Sequence, residues 1–204
     1  MTVETVIYLV RHGQTVLNSE GRFRGRLDPP LDEQGELEAQ ALARWFGRLR
    51  LTGIYSSPLL RTRQTAQPIG DALELPVRME PGLVDLDYGD WTGLTMDAAR
   101  AQNPGAFARF LTYPTSSRPP RGESVYLMGK RVREALDRMA ERHAGGGVIA
   151  VSHEVPLRVT IDSVADPETK PFWDIDVPPG SVTTLLAADG RLLLEEMPTR
   201  PEEG

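Results

Sequence analysis

Two histidines each follow an apolar stretch that ends abruptly in polar residues. Residues 6–10 (V-I-Y-L-V) lead into Arg11 and His12, and residues 148–151 (V-I-A-V) lead through a serine into His153. Continuous apolar runs of this length predict strands buried on both faces, and ligands of parallel sheets bind beyond the carboxyl ends of such strands. If the two strands are neighbours, both imidazoles should meet at one edge of the sheet. An isolated strand-end histidine is more typical of a simple hydrogen bond to a nearby carbonyl, so the pair is what indicates chemistry.

Arg61 adds a second cation to this region. It lies in the first turn of a predicted helix that begins after another short strand, residues 53–57. Its guanidinium and the free N–H groups of the helix N-terminus should face the same edge of the sheet. Two arginines and two imidazoles around one point suit a dianionic oxyanion, most naturally a phosphoryl group. Either arginine alone is more typical of a surface salt bridge.

The elements that position these residues alternate between strand and helix. Asp32 should cap a helix over residues 33–49, whose predicted buried stripe is Leu37, Ala41, Trp45 and Leu49. The helix that carries Arg61 should run over residues 59–70 and end or kink at Pro68. The other predicted helices are 95–102, 104–111, 123–143 and 155–164, and the other predicted strands are 76–79, 181–187 and 191–197.

This alternation predicts an α/β fold with a mostly parallel sheet flanked by helices. Asp189 and Gly190 separate the last two strands and are a strong hairpin signal. The tail, residues 198–204, is polar and predicted to be frayed. His143 ends a helix before three glycines, where a solvated, dipole-favoured histidine is expected.

Composition narrows the range of functions. A chain of 204 residues suits a single domain, residues 1–204. Its net charge of −6 argues against a nucleic-acid partner, and no apolar run is long enough for a membrane span. The absence of cysteine excludes a thiolate nucleophile and a thiolate metal site. Residues 1–5 have no features of a secretory signal, so a cytoplasmic location is expected.

Four blocks of sequence together carry a family resemblance. L-V-R-H-G-Q-T at residues 9–15, followed by Asn18, resembles the R-H-G signature of the histidine phosphatase superfamily, in its phosphoglycerate mutase-like branch. P-L-D-E-Q-G at 30–35 resembles the family's P-L-T-x-x-G helix start. S-S-P-L-L-R-T-R-Q-T-A at 56–66 resembles S-x-L-x-R-A-x-Q-T-A, and V-S-H at 151–153 resembles the family's V-S-H block.

The resemblance implies a three-layer sandwich and a chemistry that needs neither a metal nor another cofactor. In it His12 is the nucleophile that becomes phosphohistidine, and Asp85 is the proton donor. The residues implied around the substrate are Arg11, Gln14, Thr15, Asn18, Arg24, Gly25, Arg61 and His153. Further pocket residues are expected from residues 23–26, Tyr88, Trp91 and the loop 113–122, and residues 83–122 as a whole should form a helical and loop insertion over the active site.

Two positions depart from the family pattern. The family's acid block, L-x-E-x-x-x-G-x-W-E-G, reads L-V-D-L-D-Y-G-D-W-T-G at residues 83–93, so Asp85 replaces a glutamate and is one methylene shorter. Asp87 is an alternative acid. After His153 the family usually continues with glycine, whereas this chain has Glu154, which adds negative charge beside an anion pocket unless its side chain points away. These departures predict altered substrate preference or weakened catalysis.

The resulting prediction is a metal-independent phosphomonoesterase for a small phosphorylated metabolite, with no membrane partner and a possible homodimer. Mutases of the family carry a longer insertion and an E-R-H-Y-G acid block, which this chain lacks. A mutase and a catalytically weakened phospho-ligand-binding domain are the alternatives. α-Ribazole phosphate, phosphoserine, sugar phosphates and phosphoglycerates all remain open as substrates.

Overall fold

A computed structural model describes residues 4–165 and 171–201. Its strands are β1 (Thr5–Arg11), β2 (Gly53–Ser56), β3 (Val77–Met79), β4 (Gly147–Ser152), β5 (Val182–Ala188) and β6 (Arg191–Thr199). Its α-helices are α1 (Val16–Ser19), α2 (Glu33–Phe46), α3 (Leu60–Leu73), α4 (Met96–Gln102), α5 (Pro104–Thr112), α6 (Val125–Arg142) and α7 (Glu154–Val164).

The six strands form one sheet in the order β3-β2-β4-β1-β5-β6. β1 to β4 are mutually parallel, whereas β5 and β6 run antiparallel to their neighbours, so the predicted α/β class with a mostly parallel sheet is confirmed. Arg11 at the end of β1 is opposite Ser152 at the end of β4, and Ser56 at the end of β2 is opposite Val151. The carboxyl ends of three strands therefore meet at one edge.

Helices cover both faces of this sheet and complete three layers. The two faces separate along β1, because successive side chains of a strand point to opposite sides. Ile7 and Leu9 pack into the larger core with residues of α6 and α7, while Val10 packs into a second core with residues of α2 and α3. Burial on both faces explains why the strands are continuous apolar runs.

The buried stripe of α2 differs from the predicted one. Leu37, at the start of that stripe, is 63% exposed, whereas Leu42 and Phe46 are fully buried. The backbone of Gly35 lies so close to Gln14 that a Cβ atom there would be 2.1 Å from the Gln14 carbonyl oxygen. With Gly35 packed against this backbone, the buried face of α2 is displaced by one position along the chain and includes Glu38, Leu42 and Phe46.

Three further details correct or confirm the expected elements. α3 does not end at Pro68 but continues to Leu73, with Ile69 and Gly70 buried. The hairpin at Asp189 and Gly190 is confirmed, since both residues have positive φ and join β5 to β6. β6 continues to Thr199, which pairs with Val182, so the tail begins later than predicted. Residues 202–204 of that tail are outside the described residues.

His143 is buried, contrary to the expectation of a solvated side chain. Its Nδ1 lies 2.9 Å from the Thr52 hydroxyl and its Nε2 lies 3.1 Å from the Tyr55 hydroxyl. The ring fits because it lies over Gly53, where a Cβ atom would be 2.4 Å from the imidazole.

Of the helices in the described ranges, none combines the length and apolarity that a bilayer span requires.

Candidate active site

His12 is completely buried just beyond the end of β1. Its Nδ1 lies 2.6 Å from the carbonyl oxygen of Gly13, and Arg61 Nε donates to its Nε2 at 3.2 Å. A carbonyl only accepts and a guanidinium only donates, so the ring is neutral with its proton on Nδ1 and a lone pair on Nε2. Burial lowers the pKa of His12 well below its usual value, and the charges of Arg61, Arg24 and Arg11 lower it further.

The Arg61 side chain is also completely buried and is fixed on every side. Besides His12, its guanidinium donates to the carbonyl oxygens of Leu27 at 2.7 Å and Gly25 at 3.0 Å. Its Nη2 contacts the Asp85 carboxylate at 3.2 Å. Gly25 supplies its carbonyl from a left-handed backbone conformation, φ +49°, where a Cβ atom would lie 2.7 Å from the Leu86 carbonyl oxygen. Only glycine fits at that position without strain.

His153 lies beside His12, with the two ring centroids 5.3 Å apart. The two strand-end imidazoles are therefore close together, as their positions in the sequence predicted. His153 Nε2 is 2.8 Å from the Ser57 hydroxyl, while its Nδ1 has no hydrogen-bond partner among the described residues. Burial, followed by the charge of Arg61, lowers the pKa of His153 well below its usual value. Both rings of the pair are therefore held neutral.

Asp85 is the buried carboxyl group nearest this pair. One oxygen accepts from the Leu86 backbone N–H at 2.9 Å, and the other lies 4.0 Å from His153 Nδ1. Burial raises the pKa of Asp85, against the opposing charges of Arg61 and Arg24. Asp87, the alternative acid, instead accepts from the Gly89 backbone N–H at 2.9 Å, within its own turn. Of the two carboxyls, Asp85 is the one that lies beside Arg61 and His153.

A cavity of about 390 Å³ reaches this cluster at Arg11 and Asp85. It brings together three of the expected substrate residues, Arg11, Asn18 and Arg24, and adds an aromatic wall. Larger space lies elsewhere, in a groove of about 830 Å³ between α2 and α3, but none of the predicted residues lines it. The residues that line the smaller cavity include Arg11, Asn18, Phe23, Arg24, Asp85, Tyr88, Phe110, Glu154, Arg158 and Trp173.

His12, Arg61 and His153 are completely buried and do not line the cavity, and three other expected residues do not line it either. The Gln14 side chain turns away and donates to Asp32 at 3.2 Å. Thr15 is buried and donates from its hydroxyl to the Asn18 side chain at 2.8 Å, so it positions that amide. Gly25 acts through its carbonyl on Arg61, as described above. Each is thus placed one step behind the cavity surface.

The Glu154 side chain points into the cavity. Its Oε2 lies 2.7 Å from Arg11 Nη2 and 3.3 Å from Arg24 Nη2, and its Oε1 lies 3.0 Å from Arg158 Nη2. Burial by itself would raise the pKa of Glu154, but Arg11, Arg158 and Arg24 outweigh it and hold the pKa below its usual range. Burial lowers the pKa of Arg11 to about 10, with Glu154 opposing the shift. The added negative charge at position 154 is therefore bound by three guanidiniums.

The expected contribution of Trp91 and of the loop 113–122 to the cavity is wrong. Trp91 is completely buried in the core, where its ring packs against Phe107 and Phe110. Arg158 and Trp173 take part instead, and neither was predicted. The position of Arg158, four residues after Glu154, is an i,i+4 signal that could have indicated it, whereas no local pattern marks Trp173.

Within residues 4–165 and 171–201, no group of three or more His, Asp or Glu side chains is arranged to hold a metal ion. The cluster instead combines a neutral imidazole, whose Nε2 lone pair accepts from Arg61, with a buried carboxyl and several guanidinium groups. Such an arrangement can bind a phosphoryl group, attack it through nitrogen and protonate the departing oxygen.

Comparison with known proteins agrees with the motifs. The family described as "Histidine phosphatase superfamily (branch 1)" matches residues 7–199. Phosphoserine phosphatase 1 of Hydrogenobacter thermophilus is 35% identical over 167 residues, covering 82% of this chain and 79% of that protein. The probable phosphoglycerate mutase GpmB of Yersinia pestis (strain Pestoides F) is 35% identical over 151 residues, covering 74% of this chain and 70% of that protein.

The solved structure of YhfR from Bacillus stearothermophilus superposes with a TM-score of 0.87 at 31% identity. That match covers 94% of this chain and 96% of the YhfR chain. Fold, motifs and sequence identity agree over nearly the whole length. The chain therefore belongs to branch 1 of the histidine phosphatase superfamily.

Proposed function

We propose that this protein is a metal-independent phosphomonoesterase that acts on a small phosphorylated metabolite through a phosphohistidine at His12. The observation that carries the proposal is the state of His12: buried, neutral, with its lone pair on Nε2 beside Arg61. A protonated imidazole is not a nucleophile, so an environment that disfavours the proton prepares the ring for attack.

Unpartnered buried donors support binding of a phosphoryl group at the same place. Arg11 Nε, Arg24 Nε and His153 Nδ1 are buried and have no hydrogen-bond partner in the described part of the chain. Buried donors are rarely left unpaired in folded proteins, and three of them around one nucleophile suit the oxygens of a phosphoryl group. A bound phosphoryl oxygen can accept the Arg61 hydrogen bond that His12 Nε2 accepts in its absence. This exchange frees the Nε2 lone pair for attack.

The reaction then takes two balanced steps. In the first, His12 Nε2 bonds to phosphorus as the bond to the ester oxygen breaks, and Asp85 gives its proton to the leaving alkoxide. In the second, water attacks phosphorus, the Asp85 carboxylate takes the proton of that water, and the P–N bond breaks to release phosphate. The raised pKa of Asp85 favours the protonated form that the first step needs. The surrounding guanidiniums stabilise the charge on the transferring group.

Hydrolysis of p-nitrophenyl phosphate in EDTA tests this proposal, with His12→Ala as the variant. We expect metal-independent turnover that the substitution abolishes, and one phosphoryl group on the peptide that contains residue 12 after acid-free quenching. Turnover that survives His12→Ala, or that depends on added Mg²⁺, would contradict the mechanism. A folded protein with no turnover on any phosphomonoester would instead favour the catalytically weakened ligand-binding domain.

Phosphoglycerate mutase activity is a second candidate, because a relative at 35% identity is named a probable phosphoglycerate mutase. The two activities share the phosphohistidine and differ in its acceptor, which is water in one case and a phosphoglycerate hydroxyl in the other. Incubation with 3-phosphoglycerate, with and without the 2,3-bisphosphate, separates them. We expect release of inorganic phosphate to exceed isomerisation, and the reverse ratio would assign the mutase.

A further inference from the structure

We propose that Glu154 excludes phosphomonoesters that carry a carboxylate beside the phosphate, so that the pocket takes substrates with an uncharged leaving alcohol. This inference rests on the proposed phosphatase function and deepens it, because it defines the chemical class of the substrate. It starts from the position that Glu154 takes among the arginines.

The Glu154 carboxylate already occupies the arginine side chains that would otherwise bind an anionic substituent. Arg11 and Arg24 share its Oε2, and Arg158 binds its Oε1. All four side chains line the cavity that reaches the His12 cluster. Arginine forks of this kind are the usual protein site for a carboxylate. Here the chain itself supplies that carboxylate.

A second carboxylate, brought in by a substrate, would have to displace Glu154 or lie beside it. Displacement is unfavourable because Glu154 is held on the same helix, α7, as Arg158, which makes it an intramolecular competitor at high effective concentration. A position beside it brings two negative charges together in a mostly buried pocket, where like charges repel strongly. Both routes disfavour the anionic substituent.

The aromatic wall of the cavity suits an uncharged organic group. Phe23, Tyr88, Phe110 and Trp173 line it, and the Arg158 guanidinium lies over the Trp173 ring, 5.5 Å from its centroid. Aromatic side chains pack against apolar faces of a ligand and do not require the ligand to carry a charge. The arginines equally disfavour an ammonium group at the same place. The chemistry that remains is an alcohol with neither charge.

A different role for Glu154 makes the opposite prediction. If its carboxylate only ordered Arg24 and Arg158 for binding a substrate carboxylate, loss of the charge would weaken that binding. The two roles are separated by the binding of sn-glycerol 3-phosphate and 3-phosphoglycerate, which differ by a CH₂OH group in one and a carboxylate in the other. Both ligands carry the same phosphoryl group. Any effect of the substitution on phosphoryl binding therefore cancels in the ratio of their dissociation constants.

The dissociation constants are measured by calorimetry in a His12→Ala background, where no turnover consumes the ligands. With Glu154 present, we expect glycerol 3-phosphate to bind more tightly than 3-phosphoglycerate. Glu154→Gln keeps the side-chain shape, and we expect it to shift the ratio toward 3-phosphoglycerate by about tenfold or more. Glu134→Gln, at an exposed residue of α6 that pairs with Lys130, removes an equal charge and should leave the ratio unchanged.

An unchanged ratio, a shift away from 3-phosphoglycerate, or binding of neither ligand to either protein would overturn the inference. Glu154→Gly is the second variant, and thermal unfolding checks that each protein is folded. Because the readout is binding, it stays informative if turnover of p-nitrophenyl phosphate is absent and the proposed function fails. Conversely, if turnover depends on His12 but the ratio of dissociation constants is unchanged, the proposed function stands and only the role of Glu154 is rejected.

Discussion

Replacing Asp85 with asparagine removes its transferable proton and leaves a side chain of nearly the same shape. The carboxylate accepts from Arg61 at one oxygen and from the Leu86 backbone N–H at the other, so the single amide oxygen can keep only one of these contacts. The variant therefore removes the proton and one hydrogen bond while it keeps the shape of the side chain. Asp87→Asn is the matched control, since that carboxyl accepts from the Gly89 backbone N–H within its own turn and does not line the cavity.

The size of the effect depends on the leaving group. An alkyl alcohol leaves poorly without a proton, so loss of the general acid should lower kcat/KM for an alkyl phosphate roughly 100- to 10,000-fold, or about 3–5 kcal/mol of transition-state stabilisation. p-Nitrophenolate leaves readily without a proton. The first step on p-nitrophenyl phosphate should therefore be nearly normal in Asp85→Asn, while breakdown of the phosphohistidine, which needs the carboxylate as base, becomes slow.

Stopped-flow measurement of nitrophenolate gives a direct readout of this difference. We expect a burst close to one equivalent per active site in Asp85→Asn, followed by a slow steady state, and no burst in Asp87→Asn. Equal losses on alkyl and nitrophenyl substrates without a burst would refute the assignment of Asp85. So would a burst that appears in Asp87→Asn and not in Asp85→Asn.

The pH dependence has a defined sign. Because burial raises the pKa of Asp85, the folded protein retains this proton at pH values where the unfolded chain has lost it. Activity on alkyl phosphates should fall as pH rises through the folded pKa, and Asp85→Asn should remove that decline. By linkage, the contribution of Asp85 to stability is present below the unfolded pKa and is lost as pH rises through the folded one. The variant should therefore lose less stability than the native protein over that interval.

Two further substitutions test how the site is held. Arg61→Lys keeps the charge but cannot reproduce the buried guanidinium contacts, so we expect about 2–5 kcal/mol less stability in urea unfolding, whereas the exposed Arg63→Lys should change it by less than about 0.5 kcal/mol. Equal losses would mean that the contacts of Arg61 contribute nothing. Gly25→Ala combines positive φ with a clash against the Leu86 carbonyl, and should lower the melting temperature more than Gly21→Ala, which has positive φ and open space. Equal shifts would exclude the clash as a cause.

The reactive centre was predictable because its signals are local and the sheet is simple. A buried parallel strand reads as an apolar run, and the residue that follows it lies at the carboxyl edge wherever the strand stands in the order. His12 and His153 needed only that rule. Arg61 needed the start of a helix after a third strand. None of these required knowledge of side-chain packing.

The walls of the cavity were less predictable because they depend on distant packing. Trp173 comes to the cavity from a short helical turn, Phe172–Asp174, that no periodic pattern marks. The direction of the Glu154 side chain depends on guanidiniums from three separate parts of the chain. The sequence therefore predicted its charge but not its direction. The rotation of α2 brings the backbones of Gly35 and Gln14 into contact, which hydrophobic periodicity does not encode.

The position of β1 between a parallel and an antiparallel neighbour determines when, during synthesis, the site can fold. β1 pairs with β5, and the Arg11 backbone N–H donates to the Ser181 carbonyl at 3.0 Å, across about 170 positions of sequence. The surroundings of His12 therefore cannot be completed until the segment near residue 181, about 170 positions later in the chain, has been synthesised. Contacts of such long range form late and slow folding. His12 is thus translated long before β5, and its site cannot be complete until β5 is in place.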